Sequence, residues 1–468
     1  MAAVFLEKDM IHQYKLNGYN IVLDIFSGSV HVTDDLMYDI IELYQTKEID
    51  EIKDIILKSY EISQNEFQEC IDSIEELKEG GLLFSQDTFL EEALEKDRGP
   101  VPIKALCLHV AHACNLNCEY CFASQGNYKG KRALMSYETG TRAIDFLIEH
   151  SGSVRNLDVD FFGGEPLMNW EVCKKLVAYA RSKEKEHKKN FRFTLTTNGL
   201  LLDDEVIDFC NKEIDNVVLS LDGRKEVHDR LRKDLSGKGS YDIIVPKFQE
   251  FVRRRTRGTY YIRGTYTHNN VDFTKDVFHM ADLGFKDLSM EPVVSSNDKE
   301  YALTKEDLPI LLNEYEILAK EMIKRKKENR EFTFYHFTID LNQGPCIYKR
   351  LDGCGSGCEY MAVTPQGDLY PCHQFVSEKE FLLGNIFDGL KNTQLMDNFK
   401  NTNIETKEAC KDCWAKFYCA GGCAANAYYS KGSIREVDDY ECTLFKKRIE
   451  CAIMLNIAYQ DIEAGIDV

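Results

Sequence analysis

Residues 103 to 300 alternate between two kinds of segment, and this alternation constrains the fold more than any other feature of the chain. Apolar runs rich in β-branched and aromatic residues are separated by segments with apolar residues at helical spacing. Strands separated by helices pair in parallel, because the chain must cross back between them. The alternation predicts an α/β fold in which a parallel sheet curls into a partial (β/α)6 barrel. Its six strands are predicted at 103–111, 156–164, 192–199, 216–223, 259–267 and 286–294.

The polar and glycine-rich motifs of this region each follow a predicted strand directly. In barrels of parallel strands the chemistry lies at the carboxyl ends of the strands. We therefore expect one site, formed by Cys114 after the first strand, Gly163, Gly164 and Glu165 after the second, Asn198 after the third, and Ser220 and Asp222 after the fourth.

The remainder of the chain divides by composition. Residues 10–88 contain two alternating apolar runs around Ser27–Ser29, which predict a β-hairpin, and then three amphipathic helices, a winged-helix arrangement. Nucleic acid is not the expected partner, because Lys and Arg total 58 against 78 Asp and Glu, a net charge of −20. The predicted units are 1–90 (winged helix), 91–102 (linker), 103–335 (barrel), 336–447 (cysteine-rich domain) and 448–468 (closing helix).

The chain contains 17 cysteines, and their distribution separates structural ones from metal ligands. Charged residues at Glu7–Asp9 interrupt any signal peptide, and no run of about 18 apolar residues occurs, so we expect a cytoplasmic protein without a membrane anchor. In a reducing compartment clustered cysteines indicate metal or cluster ligation rather than disulfides. Five stand alone and are expected in the core: Cys70, Cys107, Cys173, Cys210 and Cys451.

Cys114, Cys118 and Cys121 form a C-x3-C-x2-C group with no fourth cysteine nearby. A structural zinc site takes four protein ligands. A [4Fe-4S] cluster has four irons, and three thiolates suffice to hold it while one iron stays open to a small ligand. The spacing therefore indicates an iron-sulfur cluster with one vacant corner.

This spacing, with Tyr120 before the last cysteine and the Gly-Gly-Glu-Pro sequence at 163–166, resembles the signature of radical S-adenosylmethionine (radical SAM) enzymes. The resemblance implies that S-adenosylmethionine chelates the open iron and is cleaved reductively to a 5′-deoxyadenosyl radical, with the three cysteines as the catalytic cluster ligands. It further implies cofactor contacts from Tyr120 at the adenine, Gly163, Gly164 and Glu165 at the methionine moiety, and Ser220 and Asp222 at the ribose, with Asn198 on the adjacent strand end. Arg232 is either a contact to the cofactor carboxylate or a solvated helix charge.

Nine further cysteines lie between residues 346 and 442, and seven of them match the spacing of the SPASM extension of radical SAM enzymes. The resemblance implies two auxiliary [4Fe-4S] clusters, and so three clusters in all. The first would use Cys354, Cys372 and Cys423, and the second Cys410, Cys413, Cys419 and Cys442. The fourth ligand of the first cluster stays open between Cys346, Cys358 and a substrate thiolate.

The order of the units resembles thioether-forming maturases of SCIFF peptides, of the sactipeptide and ranthipeptide type, with a PqqD-like element at the front. This implies a cysteine-rich ribosomal precursor peptide bound through its leader, an intramolecular thioether as product, and reduced flavodoxin or ferredoxin as electron donor. Another modification, such as formylglycine formation, decarboxylation or a carbon-carbon crosslink, is the alternative, and a leader-binding scaffold without chemistry is a third reading. His373 stands where the related sulfatase maturases carry an aspartate base, which weighs against formylglycine formation.

Overall fold

The structure is a computed structural model that describes residues 11–87, 101–296, 298–339, 341, 351 and 353–466. Most of the predicted linker, and Cys346, lie outside the described residues. The N-terminal unit is an antiparallel sheet packed on three helices: β1 (Ile11–Leu16), β2 (Tyr19–Asp24), β3 (Val30–Thr33), α1 (Asp35–Tyr44), α2 (Ile49–Ser59) and α3 (Gln64–Glu79).

The predicted hairpin is present as β2 and β3, and β1 adds a strand that the sequence pattern did not indicate. The polar and apolar residues of β1 do not alternate strictly, so its sequence lacks the two-residue period that indicates a strand. The helices start where capping chemistry places them. Asp34 accepts the backbone N–H of Met37 at the start of α1, and Ser63 and Glu66 form a reciprocal capping box at the start of α3.

The predicted partial (β/α)6 barrel is confirmed. Its strands are β4 (Ala105–His112), the short β5 (Ala133–Leu134) paired to β4, β6 (Asn156–Gly163), β7 (Asn190–Thr197), β8 (Asn216–Ser220), β9 (Thr259–Tyr266) and β10 (Asp287–Pro292). Strands β4 and β6 to β10 pair in parallel in chain order, and the sheet does not close. The connecting helices are α4 (Tyr137–His150), α5 (Trp170–His187), α6 (Asp204–Glu213), α7 (Lys225–Leu231), α8 (Tyr241–Arg254) and α9 (Phe273–Asp282).

The barrel strands form a continuous apolar core. Seven of the eight residues of β4 are buried, as expected for a parallel strand covered on both faces. Phe161 of β6 and Phe193 of β7 are fully buried and their rings stack at 5.7 Å between centroids. Truncating either ring to alanine would cost about 3–5 kcal/mol of stability. The core therefore fixes the strand ends that carry the polar motifs.

The cysteine-rich region is joined to the barrel through the sheet itself. After α10 (Leu308–Lys327) and β11 (Thr333–Phe334), strand β12 (Tyr360–Val363) pairs in parallel with β4. The sheet then continues through β13 (Asp368–Tyr370), β14 (Gly384–Asn385) and β15 (Gly389–Leu390). The helices of the cysteine-rich region are α11 (Thr393–Lys400), α12 (Glu408–Lys411), α13 (Lys416–Cys419) and α14 (Ala424–Lys431). The continuous sheet places this region beside the first barrel strand.

The last helix, α15 (Asp439–Ala464), begins nine residues before the predicted position of 448. Asp438 caps it by accepting the backbone N–H of Glu441 at 2.8 Å, a start signal that precedes the apolar stretch of the helix. The N-terminal unit packs against it and the cysteine-rich region: His12 stacks on Trp414 at 3.7 Å, and its Nε2 lies 3.1 Å from Glu450.

The isolated cysteines lie as expected with one exception. Cys107, Cys173, Cys210 and Cys451 are buried, whereas Cys70 on α3 is half-buried. None of the described helices has the length and apolar character needed to cross a lipid bilayer.

Candidate active site

A cavity of about 390 Å³ lies at the carboxyl ends of the barrel strands. The structure brings together there nine of the positions predicted for the three-cysteine cluster and its cofactor: Cys114, Cys118, Tyr120, Cys121, Gly163, Gly164, Asn198, Ser220 and Arg232. Glu165 and Asp222 do not line the cavity. Both carboxylates are buried in the protein beside it, with exposures of 0% and 1%.

The three-cysteine loop follows β4 and is held by hydrogen bonds to one of its sulfurs. The backbone N–H of Leu116 donates to Sγ of Cys114 at 3.4 Å, and Nδ2 of Asn198 donates to the same sulfur at 3.6 Å. Burial raises the pKa of Cys114 to about 12 and that of Cys118 to about 11. A thiol loses its proton when it coordinates a metal. Three thiols bordering a cavity with polar walls fit a cluster that keeps one corner for a small ligand.

The two glycines after β6 are required by the packing of the protein itself. A Cβ on Gly163, whose φ is +123°, would lie 2.3 Å from the carbonyl oxygen of Ala111, and one on Gly164 would lie 2.2 Å from that of Ala113. The N–H of Gly164 donates to Ala111 at 2.7 Å. Backbone is thus packed on backbone between β6 and the start of the cysteine loop, which leaves room for backbone atoms to face the cavity.

The Glu165 carboxylate joins the ends of two strands, β6 and β7. Its carboxylate accepts the N–H of Leu167 at 2.9 Å, the hydroxyl of Thr197 at 2.8 Å and the N–H of Asn198 at 2.8 Å. Burial raises its pKa to about 7, against these hydrogen bonds. The carboxylate predicted at the cofactor ammonium also holds Asn198, which lines the cavity.

The buried carboxylate of Asp222, just after β8, likewise joins neighbouring segments through hydrogen bonds. Its Oδ2 accepts the hydroxyl of Tyr120 at 2.7 Å and Nε of Arg232 at 2.9 Å, and its Oδ1 accepts the N–H of Thr265 at 2.9 Å. Arg232 is not a solvated charge, because its side chain is only 12% exposed and lies over the ring of Tyr120. Ser220, by contrast, stays open to the cavity.

The far wall of the cavity contains residues that the sequence motifs did not indicate. Arg263 and Thr265 lie in the second half of β9, and Glu291 is the penultimate residue of β10. Both strands were predicted, but these residues matched no known motif. Oε1 of Glu291 lies 3.1 Å from Nε2 of His336. Although burial opposes it, His336 holds the pKa of Glu291 well below its usual range. Asn426, Glu441 and Arg448 complete this wall.

The three cysteines of the first auxiliary group, Cys354, Cys372 and Cys423, lie close to one another beside this cavity. Burial raises the pKa of Cys372 to about 12, and the neighbouring Cys423 and Cys354 thiols add to the shift. Cys423 lines the cavity that also contains the three-cysteine loop. The cavity therefore connects the two cysteine groups.

His373 and Cys358 flank this group. His373 lines the cavity, its Nδ1 lies 3.4 Å from the hydroxyl of Tyr360, and burial lowers its pKa to about 4, so the ring is neutral at pH 7. The thiol of Cys358 donates to the carbonyl oxygen of Met396 at 3.6 Å.

The second auxiliary group borders a separate cavity of about 240 Å³, lined by Cys410, Cys413, Cys419 and Cys442. Burial raises the pKa of Cys419 and of Cys442 to about 12. In the described part of the chain, no three His, Cys, Asp or Glu side chains converge closely enough to hold a single metal ion. Four thiols around a volume of this size fit a multi-atom cluster.

Two family models match the chain. The radical SAM superfamily model matches residues 108–277, and the iron-sulfur cluster-binding SPASM domain model matches residues 354–414.

Curated relatives extend these matches. A cysteine-type anaerobic sulfatase-maturating enzyme of Clostridium perfringens is 26% identical in a 383-residue alignment that covers 76% of this chain and 98% of that protein. The radical SAM cyclopropyl synthase TigE of Paramaledivibacter caminithermalis is 21% identical in a 464-residue alignment that covers 92% of this chain and 91% of that protein. Among solved structures, native anSMEcpe with bound AdoMet and Kp18Cys peptide has 23% identity and a TM-score of 0.63, covering 76% of this chain and 99% of that chain, which shows a shared fold. The chain therefore combines a radical SAM domain at residues 108–277 with a SPASM iron-sulfur cluster-binding domain at residues 354–414.

Proposed function

We propose that the protein is a peptide maturase that joins a cysteine sulfur to a carbon of another residue in a ribosomally made, cysteine-rich precursor peptide. The observation that carries this proposal is the single cavity lined both by Cys114, Cys118 and Cys121 and by Cys423. A peptide in that cavity contacts the site of hydrogen abstraction and the first auxiliary group at once.

S-adenosylmethionine on a three-cysteine [4Fe-4S] cluster supplies a 5′-deoxyadenosyl radical that takes hydrogen from an unactivated carbon. Cys114, Cys118 and Cys121 hold this cluster in the proposal. Asn198 and Ser220 offer polar groups to the cofactor from two strand ends and Arg232 from the end of α7, and the backbone at Gly163 and Gly164 faces it. Glu165 and Asp222 act behind them, by fixing Asn198 and Arg232.

The two auxiliary groups take different roles. Cys410, Cys413, Cys419 and Cys442 supply four thiolates, a complete set for a second auxiliary cluster. Cys354, Cys372 and Cys423 supply three, which leaves the fourth place to Cys346, to Cys358 or to a thiolate of the substrate. In the last case the reacting sulfur is held at the end of the cavity. Lys446 lines the second cavity, and its charge suits an acidic donor such as reduced flavodoxin or ferredoxin.

The N-terminal unit binds the peptide leader in this proposal, as a PqqD-like element. β3 is an edge strand of the three-stranded sheet, so its outer backbone groups are available for an added strand. Its Val32 is 50% exposed. The match to TigE leaves only about 37 of the 468 residues outside, too few to omit this unit.

Formylglycine formation is the alternative, and the sulfatase-maturating relatives favour it. Their match spans 76% of the chain, less than that of TigE. The residue after Cys372 is His373, whose pKa burial lowers to about 4, in place of the carboxylate base expected for that reaction. We therefore rank thioether formation first.

The test uses the full chain, reconstituted anaerobically with iron and sulfide, with S-adenosylmethionine and a reductant. One probe is a synthetic cysteine-rich precursor peptide, and the other is the Kp18Cys peptide. Thioether formation predicts a loss of two hydrogens and cysteines that no longer react with iodoacetamide, in the first probe alone. An aldehyde in the second probe would establish the alternative instead, and turnover of S-adenosylmethionine with both peptides unchanged would exclude both.

A further inference from the structure

Two polar atoms of residues that line the active-site cavity have no partner. They are Nη2 of Arg448, on α15, and Oδ1 of Asn426, on α14; among the described residues neither has a hydrogen-bond partner, and both are buried. A buried donor or acceptor without a partner costs free energy, so each of these atoms is suited to a ligand group in the cavity.

Arg448 is a fixed donor. Its residue is 6% exposed, and its Nε donates to the hydroxyl of Tyr315 at 2.8 Å. Tyr315 in turn lies 3.0 Å from the hydroxyl of Tyr266, and both tyrosines are fully buried. Because the guanidinium is planar, this anchoring at Nε also fixes the direction of Nη2.

Asn426 is a fixed acceptor. Its side chain hydrogen-bonds the carboxylate of Glu441, and only the Nδ2 of an asparagine can donate to a carboxylate. The amide orientation follows, and Oδ1 is the atom that remains. Asn426 stands three residues after Cys423, so the acceptor lies at the end of the cavity where the first auxiliary group begins.

The charges of this wall favour a neutral ligand. This wall carries two carboxylates, Glu291 and Glu441, and two guanidinium groups, Arg263 and Arg448, so neither sign of charge dominates it. A secondary amide carries a carbonyl acceptor and an N–H donor and no charge. The main chain of a peptide is the substrate feature that matches one unpaired donor and one unpaired acceptor.

We propose that Arg448 and Asn426 bind the main chain of the substrate peptide, Arg448 through a carbonyl oxygen and Asn426 through an N–H, beside the residue being modified. This proposal rests on the proposed function in that the substrate is a peptide. Both are positioning residues, and they would align many core sequences, because main-chain contacts do not depend on side chains.

The experiment measures steady-state kinetics of the reconstituted full chain on the cysteine-rich precursor peptide that it modifies. The variants are Arg448→Lys and Asn426→Ala, with Arg435→Lys and Asn401→Ala as controls at exposed positions of the same region. We expect each test variant to raise the peptide KM about tenfold, the loss of one hydrogen bond to a buried partner, with kcat changed far less. The controls leave both constants unchanged.

N-methylation of single peptide bonds around the modified cysteine separates direct contact from a structural effect. One N-methyl position should raise KM about tenfold for the unsubstituted protein and cause no further rise with Asn426→Ala, the signature of one shared contact. Iron content and thermal unfolding report whether a variant retains its clusters. If Arg448→Lys loses its clusters, the kinetics of Asn426→Ala and of the N-methylated peptides decide whether the substrate main chain binds here.

Two outcomes would overturn the inference in distinguishable ways. If the unsubstituted protein modifies the peptide while both variants keep its KM, or every N-methyl effect adds to that of Asn426→Ala, main-chain binding by these residues is wrong and the proposed function stands. If the unsubstituted protein leaves the peptide unmodified, the proposed function is wrong and the inference falls with it.

Discussion

The hydroxyl of Tyr120 donates a 2.7 Å hydrogen bond to Oδ2 of Asp222 and joins the three-cysteine loop to the end of β8. The same oxygen accepts Nε of Arg232, so one buried carboxylate aligns the loop and a cavity-lining guanidinium. The loop is therefore positioned by the barrel as well as by any group it binds.

Removing this hydroxyl should loosen the loop. Tyr120→Phe leaves the ring in place and removes one hydrogen bond to a charged acceptor, so we expect the free energy of unfolding to fall by about 1–2 kcal/mol. Chemical denaturation measures this. Tyr137→Phe is the control, because Tyr137 is 45% exposed and its change should stay within about 0.5 kcal/mol. Equal effects of the two variants would contradict the role of Tyr120.

Iron content tests the three cysteine groups one at a time. With one four-iron cluster per group, Cys114→Ala, Cys372→Ala or Cys419→Ala should each lower the iron content by about four atoms per chain, from about twelve. Cys70→Ala is the control, since this half-buried cysteine on α3 belongs to no group. A group whose substitution leaves iron unchanged is not a cluster site.

The glycine at position 164 should not tolerate a side chain. Gly164→Ala would place a Cβ 2.2 Å from the carbonyl oxygen of Ala113, so backbone must move, at a cost of about 1–3 kcal/mol. The displaced cysteine loop should also retain less iron. Gly130→Ala is the comparison change, in the cysteine loop itself, where the nearest atom to an added Cβ lies 3.3 Å away, and we expect a much smaller loss of stability. Denaturation of both apoproteins gives the comparison.

Stability should depend on pH through His228. Its Nδ1 accepts the N–H of Asp222 at 3.3 Å, and burial lowers its pKa from 6.5 to about 4. The unfolded chain therefore binds a proton that the folded protein excludes, so this histidine destabilises the fold progressively as pH falls from about 6.5 towards 4, by roughly 3 kcal/mol. Denaturation of the apoprotein across that range should show a shallower decline in His228→Gln. An unchanged slope would show that His228 is already charged in the fold.

The sequence predicted what depends on local pattern. Six apolar runs indicated the parallel strands, and because parallel strands end at one edge, the motifs after them were expected to meet there, as Cys114, Asn198 and Ser220 do. The addition of β12 to β4 joins segments about 250 residues apart and depends on tertiary packing that no local period records.

The far wall of the cavity was not predictable for the same reason. Arg448 and Asn426 belong to no motif, and each becomes notable only because its neighbours leave one polar atom without a partner. Glu165 and Asp222 were correctly placed at strand ends, but their contacts with Asn198 and Arg232 required the folded arrangement.

The most direct test of thioether formation is tandem mass spectrometry of the cysteine-rich precursor peptide after incubation with the reconstituted protein, using peptide deuterated in its residues other than cysteine. Thioether formation predicts deuterium in the 5′-deoxyadenosine, a peptide lighter by one hydrogen and one deuterium, and fragments that place one cysteine sulfur on the carbon that lost deuterium. Unlabelled 5′-deoxyadenosine with a peptide of unchanged mass and freely alkylated cysteines would contradict it.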